Sequence, residues 1–114
     1  MVRIVRVVGT LRFPSADAPV LLDRVRVEVR DVSEADAPAR TVAVVTLPAV
    51  RVPAGGLELP FAVDADVDGP GTFVVRVHGD RDGSGVVTDG DLITTAAHRV
   101  TPRPMVLDLH PVGH

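Results

Sequence analysis

Through the segment Leu22 to Arg30, apolar and charged residues take turns: Val25, Val27 and Val29 stand among Arg24, Arg26, Glu28 and Arg30. A two-residue period sends successive side chains to opposite faces of an extended chain. This segment is therefore a strand with one buried face and one wet face. The alternation returns from Thr72 to His78, with Phe73, Val75 and Val77 expected inward. Valine fills 24 of the 114 positions, and its β-branched side chain favours strands over helices. Ten Gly and ten Pro supply the tight turns that many short strands need. No helical stripe runs beyond two turns.

About seven extended segments are expected. They are Val2 to Phe13, Leu22 to Arg30, Thr41 to Leu47 ended by Pro48, Leu57 to Val63, Thr72 to His78, Leu92 to Val100, and Pro104 to Leu109. In the last, Val106 is expected to be buried together with Met105 or Leu107. Asp31 to Pro38 reads as a loop in which Asp and Ser satisfy backbone donors, with one helical turn capped by Ser33 as an option. Asp64 to Gly71 reads as an acidic loop punctuated by Gly and Pro. Thr88-Asp89-Gly90-Asp91 has capping-box spacing, but Ile93, Thr94 and Thr95 are β-branched, so a strand opened by a single turn is expected there. Short strands at roughly ten-residue spacing mark a sandwich or small barrel. The expected fold is all-β: one domain over residues 1–114, a single antiparallel β-sandwich of about seven strands, immunoglobulin- or transthyretin-like.

Cysteine is absent, which removes disulfides, thiol nucleophiles and zinc–thiolate sites. All 12 basic residues are Arg, a bias read as genomic rather than mechanistic. No apolar run approaches the roughly 20 residues of a membrane span. Met1 to Arg6 alternates Arg with aliphatics, unlike a secretory signal, and is expected to open the first strand. The chain as given is expected to be cytoplasmic, or extracytoplasmic if a leader has been removed from a longer precursor.

The net charge of −3 has a definite location. Asp80 to Asp91 holds four Asp and one Arg, while the charges of the remaining residues cancel. A nucleic-acid-binding surface would be basic, so none is expected. The negative loop points instead to a cation. Counting from Asp80, oxygen side chains fall at positions 1, 3, 5, 9 and 12: Asp80, Asp82, Ser84, Thr88 and Asp91. Gly85 stands at position 6, and Val86 at position 7 would contribute its carbonyl. This is the spacing of an EF-hand calcium loop, in which alternate residues of a tight loop turn their oxygens inward around a hard cation. Position 12 is Asp rather than Glu, as in dockerin-type loops, and the flanks read as strands rather than helices. Calcium is the expected cofactor, with a dissociation constant on the order of 10⁻⁵ to 10⁻³ M. A plain Asp/Gly-rich turn that binds nothing is the competing reading.

Two stretches resemble a known family. Val25-Arg26-Val27-Glu28-Val29-Arg30-Asp31-Val32-Ser33-Glu34-Ala35-Asp36-Ala37-Pro38-Ala39 is similar to a strand and "DVSxADAPA" segment of the YbaY/YscW-type, pilotin-related family. Leu59-Pro60-Phe61-Ala62-Val63 and Thr72-Phe73-Val74-Val75-Arg76-Val77 resemble that family's later strands. The resemblance implies a compact sandwich lipoprotein that binds protein or sits at a membrane through a lipid anchor. The sequence departs from the family in having no Cys to carry a lipid, and in placing the calcium-like loop where the family has a short hairpin.

Other constellations carry less. His78, His98, His110 and His114 show no zinc-ligand spacing. Ser15, Ser33 and Ser84 lie in no nucleophile elbow, although a triad assembled in space would escape a sequence reading. Arg24, Arg26 and Arg30 form a stripe that reads either as a solvated face or as a docking surface for an acidic partner. The expected function is non-enzymatic: a calcium-binding structural or protein-interaction module. The alternative is a metal-free, pilotin- or chaperone-like sandwich that binds protein and assists secretion or envelope assembly.

Overall fold

The computed structural model describes residues 3–34, 36–67 and 72–113. Nine strands form among these residues, and no helix: β1 (Ile4–Phe13), β2 (Val20–Asp31), β3 (Arg40–Val52), β4 (Leu57–Asp66), β5 (Phe73–Asp80), β6 (Leu92–Ile93), β7 (His98–Arg99), β8 (Met105–Asp108) and β9 (His110–Pro111). They build two sheets. One has the order β4-β1-β8, and the other β3-β2-β5-β6-β9, with β7 also paired to β5. The two inner faces share one core. Val7, Leu11, Phe61, Val63 and Leu107 from the first sheet meet Leu22, Val25, Val27, Val29, Val75 and Val77 from the second. The expected all-β sandwich is the observed fold.

Alternation decides which side chains reach this core. Val25, Val27 and Val29 are fully buried, while Arg24 and Arg26 point to solvent. The period slips once, where Asp23 and Arg24 are both exposed between buried Leu22 and Val25. Opposite this slip, Ala49 takes a φ of 51° in β3. All strand pairs are antiparallel except β1 with β8, which run parallel in the register Gly9↔Met105 to Arg12↔Asp108.

Several boundaries differ from the sequence reading. Pro48 does not end the third strand, which continues to Val52. β3 is an edge strand, where a missing N–H costs no ladder bond, and Pro60 in edge strand β4 is tolerated for the same reason. The fourth strand extends to Asp66, and residues 68–71 of the expected acidic loop lie outside the described residues, as does Val2 of the first segment. The sixth segment breaks into β6 and β7 at Thr94, which turns in toward β5: its Oγ1 accepts the Val77 N–H at 3.1 Å and its own N–H donates to the Val77 carbonyl at 3.2 Å. Val106 is half-exposed; Met105 and Leu107 face the core instead. Asp31 to Pro38 forms no described helical turn. Its Asp31 carboxylate accepts the Ser33 N–H at 2.9 Å, and the Ser33 hydroxyl accepts the Thr72 N–H at 2.7 Å, as expected of a turn that satisfies backbone donors.

Candidate functional site

Asp80 ends β5 and Asp91 precedes β6, and the pairing of Gly79 with Leu92 sets the two carboxylates side by side at the base of the acidic loop. That approach is close: a Cβ at position 79 would sit 3.0 Å from Leu22 Cδ1 and 3.2 Å from the Leu92 carbonyl oxygen, so glycine fits there without displacing either neighbour. The far side of the base is tied to the C-terminal strand. Gly90 N–H donates to the Val112 carbonyl at 2.9 Å and Val112 N–H to the Asp91 carbonyl at 2.8 Å.

Both carboxylates are buried, at 1% and 0% exposure, and each organises part of the loop. Asp80 accepts the N–H of Gly83 at 3.1 Å and of Gly85 at 2.8 Å. Asp91 accepts the N–H of Arg81 and of Thr88, each at 3.0 Å. Its Oδ2 also lies 2.8 Å from His78 Nε2. Thr88 and Asp91 keep one half of a capping box, the Asp91 carboxylate accepting the Thr88 N–H; the Asp91 N–H donates to the Thr88 backbone carbonyl at 3.1 Å instead of to its hydroxyl, and the turn leads into a strand rather than a helix. Gly85 has a φ of 80°, the left-handed conformation expected at position 6.

The six expected ligands are not equally placed. His78, Asp80 and Asp91 each offer a ligand atom within 4.8 Å of the others. Asp82, Ser84, Val86 and Thr88 are exposed. Asp82 accepts the Ser84 N–H at 2.9 Å, and the Ser84 hydroxyl donates to the Val86 carbonyl at 3.2 Å. His78 is the member that the loop count missed. Its signal was the strand period: Arg76, His78 and Asp80 are two residues apart and share the outward face of β5.

Burial of Asp91 works against its charged form. The hydrogen bonds from His78, Arg81 and Thr88 outweigh that cost and hold its carboxyl below the usual range. An ionised acceptor makes the His78 ring nitrogen the donor. A depressed carboxylate pKa contributes stability that is complete above about pH 5 and is lost as pH falls through the folded-state value. Urea unfolding of the wild type and of Asp91→Asn between pH 7 and pH 2 should show a shallower acid loss in the variant. Parallel curves would remove Asp91 from the acid response.

The His78–Asp91 pair has the form of two members of a hydrolytic triad, but among the described residues no serine hydroxyl is hydrogen-bonded to His78. The Ser84 hydroxyl is engaged with Val86 and the Ser33 hydroxyl with Asp31.

No family model matches the chain, and no curated protein matches it. Among solved structures, the chain is similar to an alternative pilotin from the type II secretion system of Vibrio cholerae. The two share 22% identity and a TM-score of 0.60, over 95% of this chain and 98% of that one. The likeness extends along nearly the whole of both chains and shows a common fold.

Proposed function

We propose that this chain is a non-enzymatic, protein-binding β-sandwich that assists secretion or envelope assembly, as a pilotin does. The observation that carries this reading is the fold shared with the Vibrio cholerae alternative pilotin along nearly the whole of both chains. Two exposed apolar residues give access to the two outer faces: Val44 on the six-stranded sheet and Val106 on the three-stranded one. A photoreactive residue at either position, in the native cell, should trap one component of a secretion or envelope-assembly machine, identified by mass spectrometry. Trapping of nothing from either face, with the fold intact, would reject the reading.

A second reading keeps calcium in the 80–91 loop. It is supported by the paired buried carboxylates at the loop base and by the left-handed Gly85. Calcium would draw on Asp80, Asp82, Ser84, Thr88 and Asp91 side chains and on the Val86 carbonyl. It would compete with the internal hydrogen bonds that now use several of these oxygens, which fits weak affinity. Thermal unfolding in excess calcium, magnesium or EDTA tests this. A ligand at about 100 times its dissociation constant adds roughly 2.7 kcal/mol, several degrees for a domain of this size. The rise should be specific to calcium and absent from an Asp80→Ala/Asp82→Ala double variant. Identical melts at millimolar calcium would leave a loop held by its own hydrogen bonds.

A further inference from the structure

We propose that the outer face of the six-stranded sheet, around Arg26, Arg30 and Arg76, docks an acidic, carboxylate-bearing segment of a protein partner; this rests on the protein-binding reading above and assigns its surface. The face is built by cross-strand register. Arg26 lies opposite His78, and Glu28 opposite Arg76, in the β2–β5 pairing. These residues line a depression of about 220 Å³ in the middle of the sheet. β7 adds Arg99 opposite Val74.

The charges on this face do not balance. Four arginines line the depression, Arg24 (paired with Asp23), Arg26, Arg30 and Arg76, against two carboxylates, Asp80, which accepts loop amides, and Glu28, which sits among Arg26, Arg30 and Arg76. Its Oε1 lies 2.6 Å from Arg26 Nε, and its Oε2 is 3.8 Å from Arg30 Nε, too far for a hydrogen bond. The Arg30 Nε is buried without an acceptor, an arrangement that costs free energy unless an oxygen reaches it. Arg76 is exposed and forms no ion pair among the described residues. In a chain of net charge −3, a surplus of fork-shaped guanidinium donors on one face marks complementarity to carboxylates. β2 and β5 are central strands with their backbone groups already paired, so recognition here runs through side chains rather than by strand addition. The acidic loop closes the other end of the depression, with Asp80 at its rim. It repels an acidic segment from that end and holds it over Arg30 and Arg76.

The test uses fluorescence polarisation with a labelled oligoglutamate peptide and an oligoserine peptide of equal length. The wild type should bind oligoglutamate and not oligoserine, with affinity falling as salt rises. Arg26→Gln/Arg76→Gln should weaken binding about tenfold or more, because both residues are exposed charge-assisted donors. Arg51→Gln, at the far end of β3, should bind as the wild type does, and matching melting curves check that each variant folds. Equal binding by wild type and double variant, equal binding of both peptides, or displacement by inorganic phosphate more readily than by free glutamate would overturn the proposal. A partner trapped through Val106 without any oligoglutamate binding would reject this surface and keep the protein-binding reading; no partner from either face would reject that reading itself.

Discussion

Replacing Gly9 with alanine is expected to destabilise the fold by about 3 kcal/mol or more, the largest loss from a methyl group added at any of the described glycines. Gly9 faces Met105 where β1 and β8 pair in parallel. A Cβ there would overlap the Met105 carbonyl oxygen and lie 2.8 Å from its carbonyl carbon and 2.9 Å from its nitrogen. These are backbone atoms, so no side-chain rotation relieves the overlap, and β8 must move. Met105, Leu107 and Leu109 are buried because β8 lies close, and each contributes roughly 1.5–3 kcal/mol by leaving water. Urea unfolding reads the total loss. Hydrogen exchange should show the β8 amides losing protection before those of β2. Gly85→Ala is the contrast: nothing lies within 4 Å of a Cβ at that position, so only its φ of 80° penalises alanine, by about 1–2 kcal/mol. A Gly9→Ala loss no larger than that of Gly85→Ala would show that β8 is not held by close approach.

Asp91→Ala is the second large effect, and it acts locally. The substitution strips the acceptor from the Arg81 and Thr88 amides and from the His78 ring. A buried donor left unpaired costs about 1–3 kcal/mol, and solvent reaches part of this loop, so a total of about 3 kcal/mol is expected. The sheets should persist while the amides of Arg81 and Thr88 exchange freely. Asp82→Ala removes one exposed turn bond, to Ser84, and should cost well under 1 kcal/mol. Equal losses from the two would sink the view that the loop hangs from its base rather than from its rim.

The strands were legible because their signal is short-range. Val25, Val27 and Val29 alternate with charges, and alternation alone assigns them to a buried face. The acidic loop was legible as a cluster of charge at a particular spacing. Its geometry was not, since the spacing is equally that of ligands around a cation and of turn residues around their own amides. The structure leaves Asp82, Ser84 and Thr88 exposed and buries Asp80 and Asp91 with His78 beside them. Pro48 misled because a proline ends a central strand but not an edge strand, and edge position is a property of the sheet.

The chain by itself determined an all-β sandwich, its turns, its inward valines and the place where its negative charge collects, because each depends on neighbours a few residues away. The tertiary structure alone decided the parallel seating of β8 against Gly9, the outward turn of Val106, the joining of His78 to Asp91, and the gathering of Arg76 with Arg26 and Arg30 around one glutamate. Each of these is a contact between residues far apart in sequence or on different strands, set by register and sheet order. Local patterning constrains neither.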